Sequence, residues 1–334
     1  MKTVCLVALL MLAACEGNHG QVELVGSTMG TQFSVKLPAG IGEHNPLHLQ
    51  KDIEAVLKDA ESQMSTYQWD SVISQFNSSD SVEWYQVLDT FCAKVQQSLE
   101  LSKLTNGAFD ITVGPLVNLW GFGPGEIISE PPSDAAISAL IESTGYSHLQ
   151  ADCSKPAIRK EIPQLELDMS AIGKGYAADH ISLLLDELGF QSYLVEVGGE
   201  LRLRGHNPGG EKWAIGVEAP LTRLRRPHTI IHLTDTAMAT SGDYRNFFEA
   251  DGQRYSHTID TRTGRPVTHS LASVTVVAEQ GYRADALATA LLVMGPEEGM
   301  AFAIREGIAV LMLLRTKDGI EERQTPAFEQ LRAG

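Results

Sequence analysis

Apolar residues recur three and four apart through Pro46–Met64, at Leu49, Ile53, Val56, Leu57 and Ala60, and this spacing predicts an amphipathic helix. Val87, Phe91, Val95, Leu99 and Leu101 predict a second helix over Glu83–Leu104, ended by Asn106-Gly107. Pro131-Pro132-Ser133 opens a third, running to about Ser143. Tyr282–Met294 predicts another, stopped by Gly295, with Pro296 opening the next. Elsewhere the period falls to two. Gln21–Leu37 alternates into two strands around Gly26-Ser27-Thr28-Met29-Gly30-Thr31, and Tyr193–Val197 and Leu201–Leu203 flank a Gly198-Gly199 hairpin turn. Trp213–Glu218, Thr229–Leu233 and Met238–Thr240 predict further short strands, and Asp251-Gly252 turns another hairpin that ends at His257-Thr258-Ile259-Asp260. Thr263-Gly264-Arg265-Pro266 reads as a loop, Ser270–Ala278 as a buried strand, and Ile308–Arg315 as a late strand before a helical tail.

The stretch Leu167–His180, LDMSAIGKGYAADH, organises the rest. Alternation in Ala157–Leu167 predicts a strand running into a Gly-containing turn and a helix, with Asp168 and Ser170 as natural N-caps. Gly173-Lys174-Gly175 would let backbone approach a ligand closely. A helix N-terminus beside a lysine suits a phosphate, although the Walker A spacing is absent. An ordinary capped helix with an exposed lysine accounts for the same residues. Asp285 and Thr289 stand four apart on one helix face. They are hard oxygen donors of the kind Mg²⁺ accepts, and also residues a helix start holds by itself.

A net charge of −16 over 334 residues argues against nucleic-acid binding. Arg223, Arg225 and Arg226 form a short basic cluster that reads as an exposed loop. Lys2 precedes an apolar run, Val4–Leu12, too short to span a membrane, and the run ends in Leu12-Ala13-Ala14-Cys15. This resembles a bacterial lipobox, which makes residues 1–14 a signal peptide, Cys15 the lipidated first residue, and 15–25 a tether. Cys92 and Cys153 carry no zinc signature, and the sequence leaves their pairing open.

Eight segments in order resemble the ApbE family of flavin transferases, from about Gly26 to about Met294. They are Gly26–Thr31, Met64-Ser65-Thr66-Tyr67, Gly107-Ala108-Phe109-Asp110, Leu167–Gly175, Val197-Gly198-Gly199-Glu200, Ser241-Gly242-Asp243-Tyr244-Arg245, His257–Asp260 and Ala284–Thr289. The resemblance implies an α+β, T-fold-like domain over 26–330, with helices packed on largely antiparallel sheets. It implies Mg²⁺-dependent transfer of the FMN half of FAD to a serine or threonine hydroxyl of another protein, releasing AMP. By motif position Met29, Tyr67, Ala108, Phe109, Asp110, Asp168, Lys174 and Thr258 should touch FAD. Asp285, Thr289 and the Ala171 carbonyl should hold the metal.

His257 is the histidine inside a resembling motif, and its unperturbed pKa suits a general base. A hydrogen-bonded strand-end histidine is the other role open to it. Two further functions stay open: FAD pyrophosphatase, giving FMN and AMP, and a non-catalytic flavin-binding lipoprotein. Closure of the pocket by Tyr67 would favour transfer over hydrolysis. The resemblance points to an acceptor in a membrane redox complex, of the sodium-pumping NADH:quinone reductase or Rnf type. It also places the protein on the periplasmic side of the bacterial inner membrane, through the lipid anchor.

Overall fold

A computed structural model describes residues 20–38, 44–125, 127–220, 226–244, 246–250 and 252–333. The signal peptide, Cys15, Arg223, Arg225 and Arg245 lie outside these residues. The elements in order are β1 (Gln21–Thr28), β2 (Thr31–Pro38), α1 (Pro46–Met64), α2 (Val72–Ser78), β3 (Tyr85–Gln86), α3 (Asp89–Leu104), α4 (Gly114–Leu119), α5 (Asp134–Ile141), β4 (Leu149–Asp152) and β5 (Ala157–Lys160). Then come α6 (Gly173–Glu187), β6 (Tyr193–Val197), β7 (Glu200–Arg204), β8 (Trp213–Glu218), β9 (Pro227–Leu233), β10 (Thr236–Gly242), β11 (Phe247–Ala250) and β12 (Gln253–Ser256). The chain finishes with β13 (Ile259–Asp260), β14 (Arg265–Pro266), β15 (Leu271–Ala278), α7 (Gly281–Arg305), β16 (Ala309–Thr316), β17 (Gly319–Gln324) and α8 (Pro326–Ala333).

Eight strands form one antiparallel sheet in the order β1-β2-β6-β7-β10-β15-β16-β17. One apolar cluster joins β1, β2 and β6 to α1 and α6, through Phe33, Val35, Ile53, Ile181 and Val195. A second packs α7 and the α3 region against β10, β15 and β16. The opposite sheet face is covered by the β8–β9 hairpin and α8, through Trp213, Ile231, Leu311 and Phe328. Helix α7 is long and apolar enough to cross a membrane, but its apolarity serves burial in this core. It breaks at Gly295 (φ 80°), where the sequence places a stop before Pro296.

Several expectations are corrected. The second helix begins at Asp89, because Tyr85 and Gln86 pair with β5 instead and Val87 N–H bonds the Pro156 carbonyl (2.9 Å). Two short helices, α2 and α4, lie in segments for which the sequence predicts no element; Ser71 caps α2 by accepting from Ser74 N–H (3.1 Å). Arg265-Pro266 pairs back on Ile259-Asp260 rather than forming an open loop. A strand, β17, precedes the helical tail. Strand β1 starts at Gln21, so the fold takes up the residues expected to end the tether. Residues 161–172 do not join a sheet. Asn77 imitates a neighbouring strand there: its amide nitrogen donates to the Leu167 carbonyl and its oxygen accepts from Leu167 N–H, both at 2.8 Å.

Cys92 of α3 and Cys153, beyond β4, form a disulfide across 61 residues. Such a loop closure contributes on the order of 4 kcal/mol by the chain-entropy model. The Cys92→Ala/Cys153→Ala double variant should unfold at distinctly lower urea concentration than the oxidised wild type. The reduced wild type should match the variant.

Candidate functional site

The N-terminus of α6 is the centre of the site. Its N-cap residue is Ile172, with no side-chain cap, and Gly173-Lys174-Gly175 is already the first helical turn. Asp168 does not cap α6; its Oδ1 accepts Ser170 N–H (2.7 Å) and its own N–H bonds the Ile111 carbonyl (2.7 Å). The cap comes instead from another helix: Gly175 N–H donates to Asp285 Oδ2 of α7 at 3.0 Å. Helical register would give that N–H to the Ala171 carbonyl. Among the described residues no other protein donor replaces it on that oxygen. Glycine at 175 serves helix packing rather than ligand approach, since a Cβ there would lie 2.3 Å from the Gly281 carbonyl oxygen. At Gly173 the corresponding space is open.

Asp285 is 2% exposed, and Thr289, one turn on, exchanges a hydrogen bond with Ser241 Oγ of β10 (3.1 Å). Lys174 Nζ stands 3.3 Å from Glu200 Oε1 and 4.0 Å from Asp285 Oδ2. Burial works against the Lys174 ammonium, but Asp285 and Glu200 outweigh it and raise its pKa. Burial likewise pushes the carboxyls of Asp285 and Glu200 up, opposed by Lys174. Among the described residues no group of three or more His, Cys, Asp or Glu side chains could hold a metal. A cation here would therefore use Asp285 with neutral oxygens, a donor set that suits Mg²⁺.

His257, half-buried after β12, places Nδ1 2.9 Å from the Asn246 carbonyl. A carbonyl only accepts, so Nδ1 carries the proton and Nε2 is left as the basic nitrogen. Burial lowers the His257 pKa; the Asn246 bond opposes this, while the charge of Lys174 adds to the lowering. His257 also packs edge-on to Phe122, with ring centroids 6.3 Å apart.

The Phe122 carbonyl accepts from Tyr67 Oη at 3.4 Å, joining the loop after α1 to the loop after α4. Tyr67 is 71% exposed in this structure. Its phenol is raised by burial and then by the charge of Asp168.

Met29 sits in the β1–β2 turn at φ 49°, a left-handed conformation costly for a non-glycine residue. Glu61 of α1 holds this turn: its Oε1 accepts from Met29 N–H (2.5 Å) and Thr28 Oγ1 (2.9 Å). Its Oε2 accepts from Gln68 Nε2 (3.3 Å), beside Tyr67. Glu61 is absent from the sequence-based site, yet it lies four residues after Leu57 and eight after Ile53, on the apolar stripe. A carboxylate there needs partners.

Ala108 and Phe109 are buried in the core, and both oxygens of Asp110 are spent on Thr112 and Tyr146 N–H. Their side chains are therefore spent on the fold, and the Ala108 and Phe109 N–H groups also bond Thr105 (3.1 and 3.2 Å), so a ligand would meet the carbonyls and the Asp110 N–H. Thr258 is buried next to His257, and its carbonyl accepts Val267 N–H (3.0 Å).

Fold and site define a single α+β domain whose helix N-terminus, half-buried lysine and hard-oxygen pair suit a phosphorylated ligand. The ApbE family pattern matches residues 29–312. A Vibrio cholerae protein named FAD:protein FMN transferase is 44% identical over 98% of this chain and 97% of its own length. The solved flavin transferase ApbE from Vibrio cholerae superposes with a TM-score of 0.87 at 42% identity, covering 93% of this chain and 99% of that one. The flavinyl transferase ApbE of Pseudomonas stutzeri, in its apo form, gives 0.85 at 40% identity, over 94% and 98%. The chain belongs to the ApbE family.

Proposed function

We propose that this protein transfers the FMN half of FAD to a serine or threonine hydroxyl of another protein and releases AMP. The observation that carries this reading is the Lys174 ammonium at the α6 N-terminus, 4.0 Å from the Asp285 carboxylate, together with a histidine whose Nε2 is the basic nitrogen. Proton acceptor, phosphate-binding cation and metal-type oxygens are thus supplied together.

FAD would lie against Met29, Tyr67, Asp168, Lys174, Thr258 and the backbone of Ala108, Phe109 and Asp110. Asp285, Thr289 and the Ala171 carbonyl would hold Mg²⁺, as the diverted Gly175 N–H supports. Bound there, Mg²⁺ offsets charge on the non-bridging phosphate oxygens. Lys174 and the α6 N-terminus complement the same oxygens. The acceptor oxygen bonds to the FMN phosphorus while its proton passes to His257 Nε2. The bond from that phosphorus to the bridging oxygen breaks, and AMP leaves with the electron pair.

AMP release measured with and without an acceptor protein separates transfer from hydrolysis. Transfer predicts AMP formed in step with acceptor modification and little without acceptor. Equal AMP in both arms would make the protein an FAD pyrophosphatase.

Glu61 acts in this reading by fixing the Met29 turn. Glu61→Ala should weaken FAD binding roughly tenfold, the scale of one lost charge-assisted hydrogen bond. Glu61→Gln should recover most of it. Flavin fluorescence titration measures both.

The leader pattern and the Cys92–Cys153 disulfide support an oxidising location, on the periplasmic side of the inner membrane. Cys15 would carry the lipid. Cys15→Ser should leave an active but unanchored or unprocessed protein, and wild type lacking lipid on Cys15 would end this reading. The acceptor we propose is a subunit of a membrane redox complex, of the sodium-pumping NADH:quinone reductase or Rnf type. The family's acceptor pattern, Asp-x-x-[Ser/Thr]-Gly-Ala-Thr, is absent from this chain.

A further inference from the structure

We propose that Glu200 is a positioning residue that draws Lys174 away from Asp285 and so keeps Asp285 available to Mg²⁺. The inference rests on the metal reading above.

Glu200 opens β7 directly after the Gly198-Gly199 turn and is 4% exposed. A carboxylate this deep is costly unless paired. Its Oε1 faces the ammonium of Lys174 at 3.3 Å, while its Oε2 is buried without a hydrogen-bond partner. Asp285 offers the same ammonium only Oδ2, at 4.0 Å, and that atom already accepts Gly175 N–H. Gly198 leaves room for the lysine stem: a Cβ there would lie 3.0 Å from Lys174 Cδ. The ammonium therefore leans toward Glu200.

One positive and two negative groups meet in this buried cluster. The lysine is a single cation that either carboxylate can use. Without Glu200 it would pair with Asp285 and neutralise the only charged ligand assigned to the metal. With Glu200 present, the vacant Oε2 gives the ammonium a second acceptor when a dication takes Asp285. Glu200 thus acts on the metal through Lys174, not by touching it.

The test is Mn²⁺ binding to FAD-free protein, read as loss of the free-ion electron paramagnetic resonance signal. Glu200→Gln should weaken binding by roughly tenfold or more, within the range of coupling between residues of one charge network. In a Lys174→Met background the same change should have little effect, because no ammonium remains to capture Asp285. This non-additivity is what a double-mutant cycle isolates. Glu200→Ala serves as a second variant where the glutamine form is unstable.

Unchanged binding in Glu200→Gln would overturn the proposal. Equal weakening with and without Lys174 would also overturn it, showing that Glu200 acts on the ion directly. Asp285→Ala separates the two levels of the argument. If it binds Mn²⁺ like the wild type, the metal reading fails. If it loses Mn²⁺ while Glu200→Gln does not, only the role of Glu200 falls.

Discussion

Asp285→Ala is expected to abolish FMN transfer at ordinary Mg²⁺ concentrations while leaving the protein folded. Asp285 is the single full negative charge assigned to the metal, and a charged ligand to a hard dication should outweigh a neutral one. Its removal also releases Gly175 N–H and leaves Lys174 with Glu200 alone. Alanine favours the helix, so α7 should persist. The buried Gly175 contact is lost, and a small fall in thermal stability should accompany the loss of activity. Thr289→Val keeps the side-chain size and deletes one oxygen, together with its bond to Ser241. It should weaken transfer, with partial rescue by added Mg²⁺. Transfer rate against Mg²⁺ concentration, with thermal unfolding as control, measures both. Wild-type rates and metal dependence in Asp285→Ala would remove the metal assignment.

His257→Asn should lower transfer by roughly 10²–10⁴-fold, the usual contribution of a positioned general base. FAD affinity should stay nearly intact, because the imidazole is assigned to the acceptor proton. The wild-type pH profile carries a second signature. Burial lowers the His257 pKa below its ordinary value near 6.5, so the basic form persists into mildly acidic solution. The transfer rate should be flat near neutrality and fall only as pH drops through that depressed pKa. His257→Asn should lose this acidic limb. A well-folded His257→Asn protein with unchanged transfer would leave the ring only its structural bond to Asn246.

Much of the fold was legible because local signals agreed. Helix α1 matches its predicted bounds, since Pro46 opens it, Asn45 caps it and Leu49, Ile53, Leu57 and Ala60 face the core. The β1–β2 and β6–β7 hairpins follow from alternation around small turns. What failed depended on partners distant in sequence. Asn77 makes strand-like bonds to Leu167 from 90 residues away, so residues near 167 look like a strand without joining one. Asp285 caps α6 from 110 residues away, which local capping rules assign to Asp168 or Ser170.

The site was legible as a set of residue types, but not as a division of labour. Phe109, expected to touch FAD, has its ring in the core. Asp110, also expected to touch FAD, braces its loop through Thr112 and Tyr146 N–H. Glu61 left a readable sign, a charge on an apolar stripe. Glu200 was legible as the end of the Val197–Glu200 segment, but the role proposed for it depends on its meeting with Lys174 in space.

The central claim is that FMN moves from FAD to a protein hydroxyl. The most direct measurement is mass spectrometry of an acceptor protein after incubation with this protein, FAD and Mg²⁺. The account predicts one FMN mass on a serine or threonine of the acceptor, one AMP released for each, and neither with the Asp285→Ala variant. An unmodified acceptor alongside free FMN and AMP would contradict it.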